Sequence, residues 1–335
     1  MVIGFFSAEY IKAQTNEIKK RIGKYSRLYL EIGGKPCSDG HASRVLPGYK
    51  KTLKLDILKS LGNLEIIYCI NAKDINSNRR LGDFKLNYKQ QTLKDLSTFK
   101  KQKLKVKSIV ITMYEGEKEA FEFSKVLSRL GVKIYFHSKT KNYLKSAENA
   151  LNSYKNQPYI SSRSKLVVVT GPSGNSGKMA VALNQLYHES KININSGFAK
   201  FETFPIHNLP LNHPINIAYE AATADLQDKV MSDPRKKDEV NYNRDIKNFS
   251  ILKLIMKGRK NFPYKSVTDM GINMTKAGII RDSVCRQAAI KEILRRNKYY
   301  TDEYQKGRES PRTIERMKVI LTKLNHSQHL KEKKN

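Results

Sequence analysis

Short runs of β-branched and aliphatic residues alternate with helical segments through the first 200 residues of the chain. Each run is long enough for a buried strand and too short for a free-standing helix. Strand, helix and strand in series are typical of a mostly parallel sheet with helices on both faces. The sequence therefore predicts a Rossmann-like, three-layer α/β fold. The predicted strands are residues 28–32, 64–70, 107–113, 132–136 and 166–170.

The chain of 335 residues is long enough for about two domains. Residues 1–208 are interpreted as the α/β domain, and residues 209–300 as a mainly helical region that follows several prolines. Residues 301–335 are interpreted as a basic tail. The polar segment 138–165 has the composition of a linker. Helical spacing in the second region predicts helices over 217–226, 242–256 and 282–296.

Composition restricts the cellular compartment and the classes of partner that are expected for the protein. The three cysteines are widely spaced, which favours a reducing cytoplasm without disulfides and without a zinc site. No apolar run reaches the roughly 20 residues of a membrane span. The net charge of +32 is compatible with nucleic-acid binding through phosphate neutralisation. Because the lysines are scattered among asparagines and isoleucines along the whole chain, compositional drift is the favoured explanation, and nucleic acid is the alternative partner.

The strongest chemical signal is residues 167–179, Val-Val-Val-Thr-Gly-Pro-Ser-Gly-Asn-Ser-Gly-Lys-Met. A buried strand enters this glycine-rich turn and a helix leaves it. Glycine allows positive φ angles and lets an anion approach the backbone amides closely. The helix N-terminus offers free N–H groups and the positive end of its dipole, and a lysine adds charge. The turn is therefore predicted to bind phosphate through Gly171, Gly174, Ser176, Gly177 and Lys178.

This turn departs from the nucleotide-binding P-loop pattern G-x-x-x-x-G-K-[ST]. Pro172 stands at the first glycine position, and Met179 replaces the hydroxyl that would reach magnesium. The pattern therefore does not favour ATP hydrolysis in the usual P-loop manner. The predicted ligand is a nucleotide or another phosphorylated small molecule; a nucleotide with Mg²⁺ is one option for an otherwise unidentified cofactor. The alternative is a tight βα turn that needs glycine only for packing.

A second glycine-bearing turn, residues 33–44, follows the first predicted strand. Lys35, His41 and Arg44 are candidates to bind an anion, with Arg44 able to donate two parallel hydrogen bonds. Asp39 could orient His41 and make it an acid or base. The alternative is a surface loop that contains only an Asp–His hydrogen bond.

Several carboxylates and amides form a third group of candidates. Glu202 lies between phenylalanines and needs a partner or a raised pKa. Glu202, Asp225 and Asp269 are the candidate catalytic residues, as a base or as metal ligands. Asn243 and Arg244 are the candidate ligand-binding residues in this part of the chain. Core and capping roles are the alternative. The histidines show neither HxH nor HExxH spacing, so no metal site is assigned.

The chain resembles an uncharacterised bacterial family known as domain of unknown function 1846. The resemblance covers most of residues 4–300, and it implies a multi-domain α/β protein without a settled activity. It also implies a further C-terminal domain, so this chain is expected to be a truncated member. The family's glycine loop reads Ala-Pro-Gly-Pro-Gly-Ser-Gly-Lys, from which residues 171–178 differ. The resemblance rests on residues 28–35, 41–48, 69–72, 176–179, 185–189, 199–206, 208–211, 218–226, 241–245 and 263–274.

Three classes of function follow from these observations. The favoured one is a protein that binds a phosphorylated small molecule, and whether it is also an enzyme is left open. The second is a nucleic-acid-binding protein, which rests on net charge alone. The third is a non-catalytic protein that forms homo-oligomers or binds a protein partner.

Overall fold

The computed structural model describes residues 2–33, 35–78, 80–81, 86–143, 146–257 and 263–332, with backbone alone for the last five of these. Its centre is a seven-stranded sheet in which every pairing is parallel. A small antiparallel hairpin lies outside it. The prediction of an α/β fold with a mostly parallel sheet is confirmed. The sheet contains β1 (Arg27–Ile32), β2 (Leu64–Asn71), β3 (Val106–Tyr114), β4 (Lys133–Ser138), β5 (Leu166–Thr170), β6 (Ser196–Phe201) and β9 (Gly271–Ile272), and the hairpin contains β7 (Val230–Ser232) and β8 (Val240–Tyr242).

Helices connect most of these strands, as parallel pairing requires. No helix in the described ranges is long and apolar enough to cross a membrane. Short 3₁₀ turns lie at Ala224–Leu226, Thr268–Met270 and Thr275–Gly278. The helices are α1 (Ser7–Gly23), α2 (Gly40–Val45), α3 (Leu53–Ser60), α4 (Ala72–Asn76), α5 (Tyr88–Lys101), α6 (Lys118–Arg129), α7 (Ala147–Tyr154), α8 (Lys178–Lys191), α9 (Pro214–Ala222), α10 (Asn243–Ile255), α11 (Asp282–Gln305) and α12 (Pro311–Glu332).

Strand β5 is the central feature that positions the glycine-rich turn. The strand order is β4-β3-β2-β5-β1-β6-β9, so β5 pairs with β2 on one side and β1 on the other. Its three valines, 167–169, are fully buried, as expected for a strand covered on both faces. The turn after β5 therefore leaves the middle of the sheet, at the edge where the neighbouring parallel strands also end.

The second half of the chain packs against the same sheet. Strand β9 pairs with β6 through Lys200–Gly271 and Phe201–Ile272, so the predicted helical region contributes a strand to the main sheet. Helices α11 and α12 both contact α9. The segment predicted as a basic tail contains the end of α11 and all of α12. This segment is helical because Met317, Ile320 and Leu324 lie at helical spacing and are buried.

The structure corrects the prediction of a linker over residues 138–165. Helix α7 lies within this segment, and its Ala150 and Tyr154 are buried. These two residues are four apart and therefore lie on one face of the helix. The Tyr154 hydroxyl hydrogen-bonds the Tyr143 hydroxyl at 2.7 Å. A short apolar face among many polar residues is enough to dock a two-turn helix, and composition alone does not detect it.

Candidate functional site

The glycine-rich turn lies tightly against the ends of β2 and β3. A Cβ atom on Gly171 would lie 2.3 Å from the Cys69 carbonyl oxygen. Gly177 has a φ of +75°, and a Cβ there would lie 2.8 Å from the Cβ of Thr112. The Thr112 hydroxyl donates a hydrogen bond to the Ser176 carbonyl at 3.0 Å. Only glycine fits these two positions, because one is crowded by backbone and the other is both crowded and left-handed.

The turn lies on the wall of a large cavity, which residues 173–181 line. The Val181 N–H donates to the Gly177 carbonyl at 3.0 Å, as the first closed turn of α8. Across the described ranges, the N–H groups of residues 174–180 have no hydrogen-bond acceptor. Gly177, the N-cap, has no side chain to cap them. The positive end of the α8 dipole therefore faces the cavity with its donors unpaired.

Lys178 lies beside these amides and is only 5% exposed. Its ammonium donates to the Ser173 carbonyl at 2.7 Å and to the Ser176 hydroxyl at 3.2 Å. Burial lowers the pKa of Lys178, and the negative charge of Glu31 opposes this effect. The ammonium therefore points back over its own turn, away from bulk water. This geometry keeps a positive charge next to the unpaired amides.

A cluster of charged side chains lies at the ends of β1 and β6, next to the turn. The Lys200 ammonium contacts the Glu202 carboxylate at 3.0 Å and also the Asp245 carboxylate. Glu31 is the register neighbour of Lys200 across β1 and β6. Burial disfavours the charged form of Lys200, but the carboxylates of Asp245 and Glu202 outweigh it and raise the pKa of Lys200. Lys200 is therefore a fixed cation among carboxylates on the cavity wall.

Glu202, a predicted catalytic residue, lines the cavity and is buried. The sequence indicated that it needs a partner, and it has two: Lys200, and the Nε2 atom of His207 at 2.6 Å. Burial alone would raise the pKa of this carboxyl, but Lys200 and His207 outweigh burial and lower it. Glu202 is therefore an ionised carboxylate at neutral pH, suited to accept hydrogen bonds.

Three other predicted residues also line the cavity. Asp225 accepts a hydrogen bond from the Tyr300 hydroxyl at 3.1 Å. Arg244 donates to the Asp228 carboxylate at 2.7 Å. Lys35 lies on the wall after β1. Gly34, the second glycine of the turn before Lys35, lies outside the described residues.

His41 and Arg44 were predicted to bind an anionic ligand. In the structure both contact the carboxylate of Glu292, in α11. The Arg44 guanidinium donates to both Glu292 oxygens, at 2.8 and 3.1 Å, and His41 Nδ1 lies 3.2 Å from the same carboxylate. His41 still lines the cavity. Asp39 does not orient His41 as predicted, because it caps α2 and contacts the Lys54 ammonium at 2.7 Å.

Two predicted residues are not brought to the cavity. The Asp269 carboxylate accepts hydrogen bonds from the backbone N–H groups of Lys265 and Ser266, at 2.7 and 2.8 Å. The side chain of Asn243 accepts from the Lys229 N–H at 3.2 Å. Both are turn-forming contacts of the kind weighed as the alternative from sequence. Neither residue is among those that line the cavity.

The cavity has a volume of about 1520 Å³ and lies beyond the carboxyl ends of β1, β3, β4, β5 and β6. Such a crevice is where parallel α/β sheets bind their ligands. Phe204 and Tyr219 line one wall as a stacked pair with ring centroids 6.0 Å apart. Within the described part of the chain, no group of three or more His, Cys, Asp or Glu side chains is arranged to hold a metal ion.

Comparison with known proteins identifies the family. The chain matches the family described as "Domain of unknown function DUF1846, N-terminal" over residues 3–325. The chain belongs to this family. It is 42% identical over 332 residues to a UPF0371 protein of Clostridium botulinum (strain Alaska E43 / Type E3). It is 43% identical over 336 residues to a UPF0371 protein of Clostridium tetani (strain Massachusetts / E88).

These matches cover 96% and 97% of this chain, and 66% and 67% of the two relatives. The chain therefore spans about two thirds of the length of the curated relatives that it matches. The family resemblance inferred from the sequence motifs is confirmed. The matched region extends to residue 325 and so includes most of α12.

Sequence reasoning missed two cavity residues of this DUF1846 chain, Glu31 and Lys200. Glu31 and Lys200 lie within strands, where the apolar pattern drew attention away from them. The sequence did contain a signal for both residues. Each is a charged residue one position before the end of a buried strand, and charged residues are rarely buried without a partner. Asp245 lies in the first turn of α10 and joins this group through its contact with Lys200.

Proposed function

We propose that this chain binds the phosphate group of a nucleotide or another phosphorylated small molecule at the turn of residues 171–178. One observation carries the proposal: residues 174–180 line a cavity, and their N–H groups have no acceptor in the described ranges. The first N–H groups of a helix have no intrahelical acceptor, and side chains, water or a ligand can supply one. Phosphate oxygens would supply the missing acceptors and would meet the positive end of the helix dipole.

Electrostatics of the cavity wall supports an anionic ligand at this position. Arg244 and Lys200 both act to lower the pKa of Lys178, so the three positive charges are close enough to repel one another. A phosphate placed between the turn and these side chains would relieve this repulsion. It would also favour the charged form of Lys178, because an opposite charge raises the pKa of an amine.

The size of the cavity favours a ligand larger than phosphate alone. Pockets for small molecules commonly measure about 300–1000 Å³, and this cavity of about 1520 Å³ exceeds that range. The stacked pair Phe204 and Tyr219 offers an apolar surface to the remainder of the ligand. If chemistry takes place here, Glu202 and Asp225 are the predicted carboxylates on the cavity wall, and Asp269 is not needed.

Calorimetric titration of the full chain with inorganic phosphate and with adenosine 5′-monophosphate tests the proposal. Lys178→Met keeps the methylene stem and removes the charge. Its control is Lys191→Met, at the exposed opposite end of the same helix. A hydrogen bond to a charged group contributes about 1.5–3 kcal/mol. Lys178→Met is therefore expected to weaken binding by about 10- to 100-fold, and Lys191→Met to leave it unchanged.

Two results would refute the proposal. One is the absence of binding of either anion to the wild-type chain at low ionic strength. The other is equal affinity of the wild type and Lys178→Met, with circular dichroism confirming that the variant is folded. Binding that both lysine substitutions weaken by the same small factor would indicate non-specific attraction to a chain of net charge +32.

A further inference from the structure

Glu31 is a buried carboxylate with an unused oxygen. It lies near the end of β1, is 6% exposed and lines the cavity. Its Oε2 atom has no hydrogen-bond partner within the ranges that the structure describes. Buried side-chain oxygens are almost always hydrogen-bonded, so an unpaired one on a cavity wall needs an explanation.

The strand order places Glu31 beside the phosphate turn. Glu31 pairs with Val169 of β5 on one side and with Lys200 of β6 on the other. Adjacent strands lie about 4.8 Å apart, and the turn begins two residues after Val169. Lys178 and Lys200 both act electrostatically on Glu31. The Glu31 carboxyl therefore lies within the span of a small molecule whose phosphate is bound at the turn.

The surrounding charges restrict which chemical group can meet this oxygen. A second anionic group would be repelled by the carboxylates of Glu31, Glu202 and Asp245. A cationic group would compete with Lys200, which already contacts two of these carboxylates. A hydroxyl adds no charge, and it can donate to a carboxylate or accept from a carboxylic acid. It therefore suits either protonation state of a carboxyl whose pKa burial raises.

We propose that Glu31 hydrogen-bonds a hydroxyl group of the bound ligand, which makes the ligand a phosphate ester that carries free hydroxyls. The class includes sugar phosphates and nucleoside monophosphates. This inference rests on the phosphate site proposed above. It goes beyond that site by assigning a second contact and by excluding phosphorylated ligands that have only apolar substituents.

Two small esters isolate the hydroxyl contribution. Glycerol 3-phosphate and propyl phosphate share the phosphate and the three-carbon chain, and they differ by two hydroxyl groups. The wild-type chain is expected to bind glycerol 3-phosphate about tenfold more tightly, which is the effect of one hydrogen bond to a charged group. Glu31→Met is expected to bind both esters equally. It should also bind propyl phosphate at least as tightly as the wild type does, because a nearby negative charge is lost.

Glu65→Met is the matched control. Glu65 is also a buried glutamate in the sheet, but it lies at the opposite end of its strand, in β2. This variant is expected to keep the tenfold preference. If Glu31→Met does not fold, Glu31→Gln replaces it and should reduce the preference to about threefold, since a neutral hydrogen bond is about half as strong.

The outcomes separate this inference from the phosphate proposal. Equal binding of the two esters by the wild type would overturn the hydroxyl contact and leave the phosphate site standing. A tenfold preference that persists in the Glu31 variant would also overturn it, because the hydroxyl would then meet another residue. Failure of the wild type to bind inorganic phosphate and both esters would overturn the phosphate site and this inference together.

Discussion

Replacing Gly177 by alanine tests how the phosphate turn is built. Two separate effects oppose a side chain at this position. The backbone φ of +75° is left-handed, and an L-residue there costs about 1–2 kcal/mol. The new Cβ would also lie 2.8 Å from the Cβ of Thr112. Overpacking of a buried site costs about 1–3 kcal/mol. Gly177→Ala should therefore lower the free energy of unfolding by about 2–5 kcal/mol.

Gly131→Ala is a control that isolates the second effect. Gly131 follows α6 and has a φ of +77°, nearly the same as Gly177, but an added Cβ there would meet nothing within 4 Å. Its substitution should cost only the backbone strain of about 1–2 kcal/mol. The difference between the free energies of unfolding of the two variants then measures the cost of displacing Thr112. Thr112 resists this movement because its hydroxyl donates to the Ser176 carbonyl of the turn.

Urea denaturation, followed by circular dichroism, gives both free energies by linear extrapolation. The wild type is expected to be the most stable, followed by Gly131→Ala and then by Gly177→Ala. The free energies of unfolding of the two variants should differ by at least about 1 kcal/mol. Equal destabilisation by the two substitutions would refute the reasoning. It would mean that Gly177 does not lie against Thr112, and that the turn is free to accept a side chain.

Two further predictions concern Glu292, the carboxylate that contacts His41 and Arg44, and the predicted catalytic residue Asp269. Glu292→Gln should lower the free energy of unfolding by about 3–5 kcal/mol, because the buried Arg296 guanidinium loses its carboxylate partner, as do Arg44 and Arg295. Burial alone would raise the pKa of Glu292, but hydrogen bonds from Arg295, His41 and Arg44 outweigh burial and lower it. Wild-type stability should therefore fall as the pH drops below about 4.5, and thermal melts of Glu292→Gln should decline less over that range; parallel declines would contradict this. Asp269→Ala should cost about 1–3 kcal/mol in urea, since backbone donors lose their acceptor. Calorimetric phosphate affinity should be unchanged by Asp269→Ala, and a tenfold loss would contradict its placement outside the cavity.

The sequence by itself determined the local architecture of the candidate site. The three valines of 167–169 predict a buried strand because β-branched side chains fit a pleated sheet. The glycines at 171, 174 and 177 predict the turn, and helix α8 begins directly after the last of them, at Lys178. These features depend on backbone preferences over a few neighbouring residues. The chain carries that information wherever the segment lies in the fold.

Tertiary structure alone decided which distant side chains meet this turn. Glu31, Lys200 and Asp245 are far apart in the sequence, and the strand order β2-β5-β1-β6 brings them together. The same packing pairs Arg44 with Glu292 and removes it from the predicted anion site. Strand order and helix docking are set by the burial of apolar faces across the whole domain. No local pattern encodes them, because a charged residue has the same local preferences whether its partner is a ligand or a side chain 248 positions away.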